Sequence, residues 1–513
     1  MAEASYGGCA SEGNPRRQST REPTAARTYA RALPIVPVRA RGLTVEGADG
    51  RRYLDCLSGA GTLALGHNHP VVLEAIREVL DSGAPLHALG LATPVEDAFL
   101  AELFRSLPPG LADHARVQFC GPGDTDAVEA ALGLAREATG RARGLALADA
   151  RDGLSDAAFT VPGADGVAGM ILEVVQGEGG VVPAPDAWLR RMRQLTADRS
   201  LPLIVDETDT GVGRTGAFWA VEHSGITPDV MVLAKAIGGS LPLSAVVYRD
   251  DLDIAEPAAP AGAFRGNQLA MAAGTATLAH VRRHRLTERA SILGARMLAR
   301  LRSLQGQFDC VGDVRGRGLM LGVELVDPEF EGGVGARGGE GGMGASGGGG
   351  VGGGEGAATC SLPGADRGVT AARFAQAPSP PATPSAAAPE RAAAVQRECL
   401  RRGLIVGLGG PRANVIRLLP PLTISDEQAE AVLDRLADAV ETAARDHAAR
   451  SESRQPRRSR PDRERPQQHQ PDQQHQPDQQ HQLNQRNHPT HPGPAARVES
   501  ASQRHGDHAA RAG

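Results

Sequence analysis

The chain of 513 residues carries one lysine, Lys235, so 54 of its 55 basic side chains are arginine. Arginine serves for surface charge, ion pairs and phosphate contacts, but its guanidinium stays protonated at any working pH. A Schiff base with an aldehyde needs a lysine that can lose its proton. A lone lysine in an arginine-rich background therefore marks position 235 as one where amine chemistry is required, against the alternative of a chance survivor.

Two further features fall in with it. Asp206 closes the apolar run Leu201–Asp206, and Lys235 closes the next such run, PDVMVLAKAIGG, 29 positions later. Both runs read as buried parallel strands, whose carboxyl ends are where open α/β sheets bind ligands. Adjacent strands would then deliver a carboxylate and the only lysine to one rim. Gly121-Pro122-Gly123-Asp124-Thr125 lies between a strand-like run and a helix-like one, the place for a phosphate cradle. Such a turn is weak alone and gains weight from the other two.

The elements that must position these residues alternate apolar runs with amphipathic stretches, the pattern of an α/β domain. Helices are expected over 71–80, 127–139, 286–304, 390–402 and 426–444. Strands are expected over 115–120, 169–174, 201–206, 229–234, 319–325, 404–406 and 415–418. Residues 1–27 read as a disordered segment and 28–327 as the large domain with the first part of the small one. A Gly-, Ala- and Pro-rich insertion, 328–389, reads as flexible. Residues 390–448 complete the small domain. A tail, 449–513, carries two copies of HQPDQQ and is too polar to order itself. Its histidines are read as solvated, so no metal site is assigned.

Composition narrows the class. A net charge of −5 argues against a dedicated nucleic-acid binder. The cysteines, Cys9, Cys56, Cys120, Cys310, Cys360 and Cys399, lie far apart and read as thiols in a reducing compartment. No apolar run reaches membrane-spanning length. A soluble cytoplasmic protein is expected. With aromatics at 3%, its core must be built from Ala, Leu and Val.

The stretches CGPGDTDAVEAAL, ILEVVQGEGGVVPAPDAWL, IVDETDTGVGRTGAFWAVEHSGITPDVMVLAKAIGG, FRGNQLAMAAG and NVIRLLPPLTIS resemble class III aminotransferases. More narrowly, they are similar to the diaminobutyrate–2-oxoglutarate aminotransferases. The resemblance covers about residues 28–327 and 390–444. It implies the fold type I architecture: a large domain with a mostly parallel sheet, a small C-terminal α/β domain, and a homodimer with sites at the interface. It implies pyridoxal 5'-phosphate as cofactor, with Lys235 holding its aldehyde and then moving a proton, and Asp206 facing its pyridine nitrogen. Gly123, Asp124 and Thr125 approach its phosphate, and Asp209 lies at the cofactor. Arg417, in NVIRLL, forks a substrate carboxylate, and Glu178, in QGEGG, is either its switching partner or a simple loop carboxylate. The implied reaction moves the terminal amine of L-2,4-diaminobutyrate to 2-oxoglutarate, giving aspartate 4-semialdehyde and glutamate.

Departures from the family pattern gather at the cofactor. The family's Ser-Gly-Thr-Asp turn is Gly123-Asp124-Thr125-Asp126 here, and a carboxylate at Asp124 repels a phosphate unless it points away. The family's aromatic-His-Gly is best matched by Arg151-Asp152-Gly153. Its Gln after Asp-Glu-Val is Asp209, and its Thr before Phe-Arg-Gly-Asn is Ala263. Asp126 and Glu173 are only 47 positions apart, which reads as a shortening of the large domain near 155–168. Three readings stay open: an aminotransferase on diaminobutyrate, a cofactor-impaired non-catalytic homologue, and a pyridoxal-phosphate enzyme acting on another ω-amino donor.

Overall fold

The computed structural model describes residues 33–88, 90–141, 146–147, 167–253, 265–328 and 386–454. All fall in the compact unit Met1–Gln455; a second unit, Pro456–Gly513, lies outside the described residues. So do Arg151, Asp152, Ala263, residues 1–27 and nearly all of the shortened stretch.

The chain opens with β1 (Pro37–Arg41), β2 (Thr44–Gly47) and β3 (Arg52–Asp55), paired antiparallel in that order. Helices α1 (Pro70–Asp81), α2 (Pro94–Phe104) and the short α3 (Pro109–Ala112) follow, each begun by a proline that has no N–H to leave unpaired. Then come β4 (Ala115–Phe119), α4 (Asp124–Thr139), β5 (Ala146–Leu147), β6 (Met170–Glu173), and a small hairpin of β7 (Val175–Gln176) and β8 (Val182–Pro183). Next are α5 (Asp186–Asp198), β9 (Leu203–Asp206), β10 (Val230–Leu233) and β11 (Ala245–Arg249). Helices α6 (Gln268–Arg283) and α7 (Leu286–Arg302) lead to β12 (Val311–Arg317) and β13 (Met320–Asp327). After the long insertion come β14 (Ala386–Ala387), α8 (Pro389–Arg401), β15 (Leu404–Ile405), β16 (Gly407–Gly409), β17 (Val415–Leu418) and α9 (Asp426–Arg454).

The central sheet has the order β4-β11-β10-β9-β6-β5. Its pairs from β10 through β9 and β6 to β5 are parallel, while β11 runs antiparallel to both neighbours. The parallel strands read as short apolar runs because both faces are covered. Ile204, Val230, Val232 and Val246 pack with Ala127, Ala131 and Leu134 of α4. Leu203, Val205, Met231, Leu233 and Val247 join the larger core with Phe99, Trp219 and Met271. Each fully buried aliphatic side chain contributes about 1.5–3 kcal/mol, so a core poor in aromatics is sustained by number.

A second sheet, β12-β13-β17-β16 with β14 added to β13, forms the C-terminal layer. β15 pairs instead with β3, tying the N-terminal strands to the C-terminal region. Two sequence expectations need correction here. Within the expected flexible insertion 328–389, Ala387 pairs with Val326 and Pro389 already begins α8; the end of β13, which runs past its pairing with β17, supplies partners that composition cannot reveal. The last helix passes residue 448 and ends at Arg454, since Ala and Arg favour helix and the first breaker is Pro456. Among the described residues no helix is long and apolar enough to cross a membrane.

One close approach sets the position of the lysine segment. A Cβ on Gly274, in α6, would lie 2.1 Å from the Ile237 carbonyl oxygen and 2.8 Å from Phe99 Cε2. Gly239, at φ +56°, would likewise meet the Ala273 carbonyl oxygen at 2.3 Å. Thus α6 touches the turn after Lys235 backbone to backbone. Gly133, in α4, has nothing within 4 Å of its hypothetical Cβ. Gly274→Ala is expected to cost about 1–3 kcal/mol, whereas Gly133→Ala is expected to stabilise by about 0.5–1 kcal/mol. Urea midpoints of the two variants against the parent check both signs.

Candidate active site

Three parallel strands end in carboxylates or just short of the lysine. Glu173 ends β6 and Asp206 ends β9, directly in register with each other. Val232 of β10 pairs with Asp206, and three residues on comes Lys235. Lys235 has φ +53°, a left-handed backbone that a non-glycine residue adopts at some cost. It opens a single turn, Lys235–Gly238, closed by left-handed Gly239. The strand end, the turn and α6 together fix where the amine points.

Lys235 Nζ lies 2.5 Å from Asp209 Oδ1 and 3.8 Å from Asp124 Oδ2. Burial alone would pull its pKa down; the Asp209 carboxylate and hydrogen bond, with Asp124 and Glu178, more than offset this and raise it. Gly177 makes room for the pair, since a Cβ there would sit 2.0 Å from Asp209 Oδ2. Asp206 accepts from the Thr208 amide at 2.9 Å and from the Thr208 hydroxyl. Burial still raises its pKa, because desolvation outweighs those bonds. Glu173 accepts from the Gly177 amide at 2.9 Å, and burial pushes it up to about 7.

The phosphate-type turn follows β4. Cys120 and Gly121 are tied to β11 by Cys120 N–H to Ser244 O at 3.0 Å and by Ser244 Oγ to Gly121 O at 2.5 Å. Gly123 caps α4, and its N–H donates to Asp126 Oδ2 at 3.1 Å. The Thr125 N–H donates to Asp124 Oδ1 at 2.9 Å. Asp124 therefore does not point away from the site; its carboxylate spans from the helix start towards the lysine.

Arg417 comes from β17, in register with Gly322 of β13 and Gly407 of β16. Its side chain is 3% exposed, and Nη1 meets Glu178 Oε1 at 2.5 Å, while Glu178 is 75% exposed. Its Nε is buried with no hydrogen-bond partner among the described residues. A buried guanidinium with an unmet donor and a movable carboxylate across its mouth is suited to a forked anion. Because Glu178 also acts on Lys235, it lies between the two cations.

Lys235, Asp206, Asp209, Asp124 and Glu178 thus share one region, with Arg417 reached through Glu178, and Gly123 and Thr125 at its edge. The sequence reading missed Glu173. Its signal was available: it ends the run Gly169–Val174 as Asp206 ends the next strand.

An amine, a partly buried carboxylate on the neighbouring strand, and a glycine turn at a helix start suit an aldehyde cofactor that is also a phosphate ester. The ring and aldehyde ends fit: an amine within the cleft and a carboxylate that burial leaves in need of a cation. At the turn, the chain's own carboxylates hold the amide donors. The class III aminotransferase family model matches residues 24–163 and 156–345. Its two pieces meet where the sequence reads as shortened. The diaminobutyrate–2-oxoglutarate aminotransferase of Rhizobium meliloti (strain 1021) is 43% identical over 486 residues, covering 84% of this chain and 92% of that protein. That of Haemophilus influenzae is 34% identical, covering 81% and 92%. Among solved structures, acetylornithine aminotransferase from Elizabethkingia anophelis superposes with a TM-score of 0.62 at 23% identity, covering 82% of this chain and 96% of that one. Plasmodium falciparum ornithine δ-aminotransferase gives 0.63 at 22%, with coverage of 82% and 96%. The fold is that of the type I pyridoxal-phosphate enzymes. The chain belongs to the class III aminotransferases, a pyridoxal-phosphate-dependent family.

Two outcomes follow from the carboxylate rim. Asp209→Gln removes the main charge that raises Lys235, so its free-amine fraction at pH 8 should rise, roughly tenfold per unit of pKa lost. Acetylation of the single lysine, read by peptide mass spectrometry, measures this. Glu173 has a folded pKa of about 7 against an ordinary 4.5, so its favourable contribution is present below about pH 4.5 and is lost as pH rises through 7. Glu173→Gln should therefore gain stability relative to the parent between pH 5 and pH 8, on the order of 2 kcal/mol, in urea unfolding at the two pH values.

Proposed function

We propose that the protein transfers the terminal amino group of L-2,4-diaminobutyrate to 2-oxoglutarate, giving aspartate 4-semialdehyde and glutamate. The observation that carries this is the placement of the chain's only lysine and a partly buried aspartate on adjacent strand ends. The substrate pair comes from the named relatives, which align over more than four-fifths of the chain.

Pyridoxal phosphate, when bound, supplies an aldehyde that condenses with amines and a ring that takes up electron density from the adjacent carbon. Lys235 Nζ would hold the aldehyde and would move a proton at the donor's reacting carbon. Asp206 would face the pyridine nitrogen and favour its protonated form, which in turn would give this partly buried carboxylate a cation. Arg417 binds the carboxylate of the 2-oxo acid as a fork. Glu178 covers Arg417 until that carboxylate arrives, so a donor with an amine at the same place is not repelled.

A homodimer is supported by exposed apolar side chains near α1, namely Leu80, Leu86 and Leu91, which a second copy would cover. A reducing, cytoplasmic setting is supported by four free buried thiols, Cys56, Cys120, Cys310 and Cys399. A second reading, in which cofactor binding is weakened and turnover lost, is favoured by Asp209 and Asp124 at the lysine. Transfer from another ω-amino donor rests on the same residues and is separated by a donor screen.

Purified protein with pyridoxal phosphate is expected to show the absorption band of lysine-bound cofactor, bleached by L-2,4-diaminobutyrate and restored by 2-oxoglutarate. Lys235→Arg is expected to show no band; a band surviving in that variant sinks the assignment. Glutamate formation counts against the non-catalytic reading. Arg417→Lys keeps the charge but loses the fork, and kcat/KM for 2-oxoglutarate should fall roughly thirtyfold to a hundredfold with the absorption band intact.

A further inference from the structure

We propose that Asp124 is an internal anion that competes with the cofactor's phosphate, so that this site discriminates against the phosphate ester relative to the bare pyridine ring. The inference rests on the reading above, in which the turn before α4 receives the phosphate and Lys235 receives the aldehyde.

Three contacts carry it. Asp124 Oδ1 takes the Thr125 N–H at 2.9 Å, a donor that the start of α4 would otherwise offer to an anion. Asp124 Oδ2 stands 3.8 Å from Lys235 Nζ. The Gly123 N–H is held by Asp126 at 3.1 Å. One carboxylate thus bridges the helix start and the lysine, as a ligand anion would. Asp124 is the first residue of α4, so its backbone is anchored and only its side chain can turn aside. The ammonium does not depend on Asp124 alone, because Asp209 is the nearer partner at 2.5 Å. Moving Asp124 away therefore frees the amide without leaving Lys235 unpaired. A phosphate arriving there must displace that carboxylate or share the helix start with it at like charge.

This separates two kinds of ligand. Pyridoxine has the ring without a phosphate or an aldehyde; pyridoxine 5'-phosphate adds only the phosphate. Neither forms a bond with Lys235, so both report binding apart from turnover. The expected result with the full-length protein, by equilibrium dialysis or intrinsic fluorescence, is a gain in affinity for pyridoxine 5'-phosphate on the order of tenfold in Asp124→Asn, with pyridoxine unchanged. Asn removes the charge and can keep the bond to the Thr125 amide. Asp124→Gly removes the charge and frees the Thr125 amide as well, and should gain at least as much. If the preference for the phosphate ester is the same in parent and both variants, Asp124 swings clear and the proposal is overturned. If pyridoxine gains equally, Asp124 acts on the ring pocket and the proposal is again overturned. A lysine-bound pyridoxal phosphate band in the parent, with no change of preference in the variants, would leave the proposed activity standing and remove this inference alone.

Discussion

The ammonium of Lys235 is the counter-charge on which the carboxyl rim of the central sheet depends. Parallel strands ending side by side bring their terminal side chains together, and here β6 and β9 end in Glu173 and Asp206, with Asp209 on the loop after β9 and Asp124 at the start of α4. A pair of unit charges about 4 Å apart is worth about 4 kcal/mol at an effective dielectric constant of about 20. Lys235 makes one close and partly buried interaction, with Asp209, and one longer and wetter, with Asp124, which solvent screens heavily. Burial pushes Glu173 up to about 7 and raises Asp206, so each gives up its proton less readily than a solvated carboxyl. The rim is thus a shared charge system, in which changing any member shifts the others.

That arrangement needs backbone close enough for side chains to meet, and small residues provide it. Gly177 lets the Asp209 carboxylate lie against the loop after β6, and Gly274 lets α6 rest on the turn after Lys235. Gly409 does the same for Arg417, whose Cδ would lie 2.3 Å from a Cβ there. Each contact leaves little space to absorb added volume. The left-handed backbone at Lys235 persists because strand, turn and helix fix it from three sides.

Much of the site was legible because it lies at the ends of apolar runs. Asp206 and Lys235 could be placed on adjacent strands from the runs before them, and the register of Val232 with Asp206 follows that order. The helix after the glycine turn was readable from its period, although it begins at Asp124, three residues before its apolar stripe. What could not be read depended on distant partners. β11 pairs antiparallel with both β4 and β10, and nothing within Ala245–Arg249 states which neighbours it will find. β14 is two alanines whose strand geometry comes from pairing with the end of β13. The direction of the Asp124 side chain was open too, because sequence could say that a phosphate and a carboxylate conflict but not that the lysine draws the carboxylate inwards.

The two ends of the site therefore have opposite electrostatic preferences. At the Asp206 end, burial disfavours the charged carboxylate and raises its pKa, so a cation there relieves a cost the fold already carries. At the α4 end, the amide donors that favour an anion are engaged by Asp124 and Asp126, and a second anion finds like charge. A glycine or serine at position 124 would leave the helix start open and make both ends favourable. With aspartate there, the proposed binding rests on the ring end and on the strength of Lys235 as a nucleophile. Asp209 governs that strength, because its carboxylate is the closest charge to the amine and lies against Gly177.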